Sequence, residues 1–186
     1  MIQSELNKVR VDEWYDQNLY EEKFRLKLTA KHELVVGRWD YDGEWGVDLR
    51  EWSYNETRLL GTGITLNSSA WQLLSKNIVR LYGNGYFSNY TYLLKNKLQE
   101  TINIEKSFQI KTDVFEGNKN FFCINLVDHN GNRVWKGRYA HIGIMVRFDT
   151  IHDFILLSRD NGLIEKINLP DDDKGQVDRK TGRKIF

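Results

Sequence analysis

Apolar and polar positions alternate in "FRLKL", placing Phe24, Leu26 and Leu28 on one side, which predicts a strand. The β-rich runs "HELVVGRWDY" and "EWGVDLREW" follow, separated by Asp42-Gly43, a tight-turn pair that predicts a hairpin. A further strand, "TRLLGTGITL", comes after a polar turn at Ser53–Glu56. The period then changes. Trp71, Leu74 and Ile78 recur at helical spacing, with Asn67 and Ser68 as capping side chains and Gly83 and Gly85 as stops. Upstream, "VDEWYDQNLYEEKF" carries helical spacing through Trp14, Leu19 and Phe24.

After a connecting segment at 86–106, in which "YTYLLKNKLQETI" predicts a helix, the order restarts. "SFQIK" echoes "KFRLK", and strands broken at Gly117 and at Asn130-Gly131 run on to "HIGIMVRF". Asp149 is expected to cap a second helix bearing Ile151, Phe154 and Ile155. Gly63-Ile64 and Gly143-Ile144 mark equivalent places, preceded at the same spacing by Arg58 and Arg138. The expected class is therefore α+β, with two tandem repeats of a four-stranded antiparallel sheet plus a helix. The repeats fall at 24–85 and 107–169, after an N-terminal extension at 1–23 and before a flexible charged tail at 170–186.

Composition narrows the function classes. Hydrophobic residues make up 40% of the 186-residue chain and charged residues 28%, ordinary for a globular protein. Its 6 Trp, 9 Tyr and 9 Phe are a surplus that fits either a packed β core or a stacking surface. A formal net charge of +1 gives the whole molecule little pull toward polyanions, so any nucleic-acid site has to be a local basic patch. The lone Cys123 excludes a disulfide within the chain and points to a reducing, cytoplasmic or nuclear (nucleoid) setting. No run approaches membrane-spanning length, and no membrane partner is expected. In the tail, Arg179, Lys180, Arg183 and Lys184 fit a solvated terminus or a contact to nucleic acid or a partner.

Catalytic signals are poor. His32, His129, His141 and His152 are scattered without paired ligand spacing, so neither metal nor other cofactor is expected. Asp149 with His152-Asp153 sits at a helix start, Asp171–Asp173 lies in the tail, and Gly61-x-Gly63 lacks the rest of a dinucleotide loop. The chain is not expected to be an enzyme.

The runs "WDYDG", "VDLRE" and "GTGITLN" followed by Trp71 resemble, in that order, the single-stranded DNA-binding domain of the positive cofactor four family of transcriptional coactivators. The first half carries the match; the second half follows it in pattern. That family works as a dimer of such units, and the related Whirly proteins hold two units in one chain. The resemblance implies an intramolecular pseudo-dimer, as a monomer or within a higher oligomer, whose helices pack antiparallel while its sheets form a nucleic-acid channel. It implies single-stranded DNA, or RNA, as ligand, transcription or replication proteins as partners, and a role in transcription, replication or recombination.

By the same resemblance Tyr41 matches the family's base-stacking aromatic, Arg50 its strand arginine and Arg58 its turn-region lysine. Strand alternation puts Arg50 and Trp52 opposite a core set of Trp45, Val47 and Leu49, and lets Trp39 and Tyr41 share a face. In the second unit the candidates are Phe115 and Phe121 for stacking, with Lys119, Arg133, Lys136 and Arg138 for phosphates. Asp42, Glu44 and Thr62 stand where the family carries lysines, and the two acids oppose phosphate binding. Two alternatives therefore stay open: an assembly protein that keeps the fold without the channel, and an RNA binder. The candidate aromatics have a second reading as well, a sheet face covered by the linker or the N-terminal segment.

Overall fold

The computed structural model describes residues 19–53, 59–84, 99–105, 108–114, 121–136, 140–141 and 143–165. Four strands, β1 (Tyr20–Lys27), β2 (His32–Tyr41), β3 (Glu44–Ser53) and β4 (Leu59–Asn67), form an antiparallel sheet in sequence order and lead into α1 (Ser68–Gly83). A second sheet orders β5 (Gln99–Glu105), β6 (Phe108–Val114), β7 (Phe121–Asp128) and β10 (Gly143–Arg147) in the same antiparallel way. The short pair β8 (Trp135–Lys136) and β9 (Ala140–His141) is inserted before β10. A 3₁₀ turn, Phe148–Thr150, then opens α2 (Ile151–Asp160). The class is α+β.

Alternation governs the first sheet. Leu34 and Val36 on β2, Val47 and Leu49 on β3, and Ile64 and Leu66 on β4 face inward and are fully buried. On β1 a bulge between Glu22 and Phe24 resets the alternation, so Tyr20 faces outward while Phe24 and Leu26 join the core. At the hairpin, Asp42 and Gly43 both adopt positive φ (51° and 76°), the conformation that a two-residue turn of this hand needs.

The helices close the core from both sheets. Asn67 Oδ1 accepts a hydrogen bond from the Ala70 amide at 2.9 Å and caps α1, as its position predicts. Trp71, Leu74 and Ile78 are buried on α1, and Ile151, Phe154 and Ile155 on α2, within one apolar cluster that also takes residues from both sheets. The Trp71 ring meets Phe154 edge-on at 6.2 Å and donates its Nε1–H to the Leu163 carbonyl at 2.6 Å. At the other end of α1, Tyr82 Oη lies 2.6 Å from His152 Nδ1. The start of α1 thus meets the end of α2, and the reverse, so the helices run antiparallel. Phe154 also reaches Phe24 of the first sheet at 6.1 Å, carrying α2 across to the other half.

Four expectations need correction. Helical spacing through Leu19 and Phe24 gives way to strand β1, because backbone pairing with β2 and the inward Phe24 and Leu26 override a loose period; Trp14 lies outside the described residues. The end of the expected connecting helix is strand β5, whose β-branched Thr101 and Ile102 suit a sheet and whose Ile102 pairs with Ile110. "FQIK" lies on β6, second in its sheet, so its counterpart in the first sheet is β2 and not the "FRLK" it echoes. Asp149 does not cap α2. Arg147 takes its carboxylate instead, through Nε at 2.8 Å and through Nη2, and the intervening 3₁₀ turn leaves Thr150 at the cap.

Candidate nucleic-acid interface

The outward face of the first sheet holds every described candidate of the first half. Its residues come in rows: Tyr20, Trp39 and Gly46; then Gly37, Asp48 and Thr65; then Val35, Arg50 and Gly63; then Glu33 and Trp52. Alternation places Trp39 and Tyr41, and Arg50 and Trp52, on this face as expected. Burial then separates them.

Tyr41 stands at the hairpin end of β2, 47% exposed, opposite Glu44 and beside the turn residue Asp42. About half of its surface is open to a flat partner, but its cross-strand neighbour Glu44 and the adjoining turn residue Asp42 are both acidic. Trp39, two residues back, is 1% exposed. It lies over Gly46, where an added Cβ would fall 2.3 Å from the indole ring, so the absence of a side chain lets the ring lie down on the sheet. With only 1% of its surface exposed the ring has no open face for a base, and Trp39 leaves the candidate set.

Arg50 leaves it for an electrostatic reason. Its side chain crosses above Gly63, Nε sits 2.8 Å from Asp48 Oδ2, and Nη2 donates to Thr65 Oγ1 at 3.0 Å. Thr65 Oγ1 in turn donates to Asp48 Oδ1 at 2.5 Å, closing a ring of three polar groups with exposures of 0–5%. A guanidinium already neutralised and removed from water is not available to a phosphate. Sequence reasoning named the arginine and missed Asp48 and Thr65. The signal was present: Asp48 sits two residues before Arg50 on the same face, and Thr65 pairs with Asp48 across β4.

At the far end of the face Trp52 is half-buried, and the Arg25 guanidinium lies over its ring at 5.0 Å. Arg25 also receives the Glu22 carboxylate at 2.7 Å and Glu33 at 3.5 Å; the Glu22 hydrogen bonds lead in holding it above its ordinary pKa. Arg25 was missed as well, although it alternates with the core residues Phe24 and Leu26 and so had to face out. The same stacking occurs on the inward side near the hairpin, where Arg38 covers Trp45 at 4.8 Å. Arg38 also pairs with Asp40, and that hydrogen bond holds the Asp40 carboxyl below its usual range.

In the second half the described candidates do not converge on an aromatic platform. Phe121, expected to stack, is 7% exposed and belongs to the apolar core. Arg133 is exposed and bridged through its backbone to Val127, and Lys136 lies on β8. Arg58, Phe115, Lys119 and Arg138 lie outside the described residues, as does the tail at 170–186. Asn125 occupies on β7 the place that Arg50 has on β3, opposite the glycine of the Gly-Ile step: Arg50 pairs with Gly63 and Asn125 with Gly143. In both sheets the following isoleucine faces inward against an apolar partner, Ile64 against Leu49 and Ile144 against Ile124. The Asn125 side chain is 3% exposed, and its Nδ2 has no hydrogen-bond partner among the described residues.

Among the described residues no group of three or more His, Cys, Asp or Glu side chains converges as a metal site, and no helix is long and apolar enough to cross a membrane. Comparison of the chain with protein-family models gives no match, and comparison with curated proteins gives none either.

Proposed function

We propose that this chain binds single-stranded nucleic acid, DNA foremost, as an intramolecular pseudo-dimer of two sheet–helix units. The observation that carries the reading is the exposure of Tyr41 on the outward face of the first sheet, at the position where the family resemblance puts a stacking aromatic. The equivalent Gly-Ile steps in β4 and β10 and the antiparallel helices support the pseudo-twofold part of it. In this reading a base stacks on Tyr41, the open aromatic of the four candidates on that face, while the Trp52 ring lies under Arg25. Arg133 and Lys136 of the second half, with Arg58 and Arg138, supply phosphate contacts. Stacking and charge neutralisation tolerate any sequence and need no chemistry on the ligand, which suits a role in transcription, replication or recombination.

A second reading, an assembly protein that keeps the fold without the channel, is favoured by two observations. Asp48 consumes the arginine that the resemblance assigns to the ligand, while Glu44 and Asp42 flank the exposed ring. Titration of the full chain with labelled single-stranded DNA, single-stranded RNA and duplex DNA over a range of salt separates the two. Preference for a single strand, with affinity falling by about 0.7 in log–log slope for each phosphate contact, supports the first reading. Binding to none of the three at millimolar ligand supports the second.

A further inference from the structure

A groove of about 410 Å³ runs between the solvent side of α1 and the turn that follows α2, and neither the nucleic-acid reading nor the core accounts for it. Its floor is apolar, from Trp45, Val79, Leu163 and Ile164, and its α1 rim carries the exposed cations Lys76 and Arg80 one helical turn apart. Among the described residues nothing fills this apolar trough, and an exposed apolar groove of this size suits a docked segment.

We propose that the groove is the docking site for the chain's own segment 167–173, "INLPDDD". Continuity is the first argument. Gly162, Leu163, Ile164 and Glu165 form one wall, so the chain enters the segment at the groove's edge. Four extended residues span at most about 13–14 Å, enough to lay Leu169 along a groove that begins at Glu165. The second argument is pattern. Ile167 and Leu169 alternate, so in an extended segment both face the same way, and Pro170 biases Leu169 to the extended conformation. The third is charge. Asp171, Asp172 and Asp173 follow directly and complement Lys76 and Arg80, while Glu165, the one carboxylate among the described rim residues, lies at the entry end. Two apolar side chains followed by three acids match an apolar floor with a basic rim.

A cysteine pair placed in the full chain, Val79→Cys with Leu169→Cys, tests this, since the native Cys123 is buried. Under mild oxidation the pair should close within one chain, identified by peptide mass. Reversing the rim (Lys76→Glu with Arg80→Glu) or the segment (Asp171, Asp172 and Asp173 each to Lys) should slow closure by about tenfold, the sum expected of two or three exposed ion pairs. Combining both reversals should restore the rate, a rescue that neither a changed tether nor a perturbed fold can produce. Closure insensitive to either reversal, or slowed without rescue, would overturn the proposal. A disulfide that forms between two chains would overturn it as well, in favour of a second copy as occupant.

Discussion

Trp39 and Tyr41 sit two residues apart on one face of one strand and differ from 1% to 47% in exposure. Opposite consequences follow from truncating them. Tyr41→Ala should leave the melting temperature nearly unchanged and weaken single-strand binding by about 1–3 kcal/mol. Trp39→Ala should cost on the order of 3–5 kcal/mol of stability, because the ring fills the space above Gly46 and nothing replaces it. Melting and strand binding measured on the same two proteins check both; a destabilised Tyr41→Ala with unchanged affinity would remove the stacking role. Arg50 makes a third case. Arg50→Ala strands Asp48 as an uncompensated buried carboxylate, so stability should fall by roughly 3–5 kcal/mol while the salt slope of strand binding stays as it was. A shallower slope would return Arg50 to the ligand.

Two elements repeat a packing problem and solve it with glycine. A Cβ on Gly63 would lie 2.6 Å from Arg50 Cγ and 2.7 Å from the Leu49 carbonyl oxygen. On Gly143 it would lie 2.8 Å from Asn125 Oδ1 and equally close to the Ile124 carbonyl oxygen. Gly63→Ala and Gly143→Ala should each destabilise by about 1–3 kcal/mol in chemical denaturation, whereas Gly83→Ala, with open space around it, should be close to neutral. The turn after β7 has an electrostatic counterpart. Asp128 accepts the Asn132 amide at 2.8 Å and the Asn130 amide at 2.9 Å, and the Asn132 amide leads in lowering its pKa. A depressed native pKa means stability that is present above the unfolded value near 3.9 and lost as pH falls through the native one. The gap in melting temperature between the native chain and Asp128→Asn should therefore be full at pH 5–6 and close below about pH 4; a gap that persists at pH 2 would assign it to shape.

For the whole molecule the decisive contacts cross between the halves. Trp71 of the first half bonds to the Leu163 carbonyl of the second, Tyr82 meets His152, and Phe154 packs on Phe24. A fragment of residues 1–100 loses those partners and would expose the Trp71, Leu74 and Ile78 stripe to water, at about 1.5–3 kcal/mol for each large side chain. It should be poorly folded or self-associate in sedimentation and near-ultraviolet dichroism. A stable, monomeric fragment would refute the pseudo-dimer.

Local pattern was enough for much of this architecture. Alternation in "FRLKL" and "EWGVDLREW" assigned the inward set, Asp42-Gly43 placed the hairpin, and Asn67 with Trp71, Leu74 and Ile78 located α1, because each depends on neighbours within a few residues. Strand β5 and the start of β1 were not legible, because their own periods are weak and only pairing with the next strand, β6 or β2, fixes their backbones as extended. The candidate site was legible only as faces. Alternation says which side of a sheet Trp39, Tyr41, Arg50 and Trp52 occupy, but exposure depends on what lies across the sheet. Gly46 lets Trp39 lie flat, Asp48 and Thr65 bind Arg50, Arg25 covers Trp52, and Tyr41 alone of the four stands open at the strand end. Apart from Asp48 and Arg50, which share β3, those pairings join separate strands, so tertiary register decided them, and with them which side chains remain to meet a ligand.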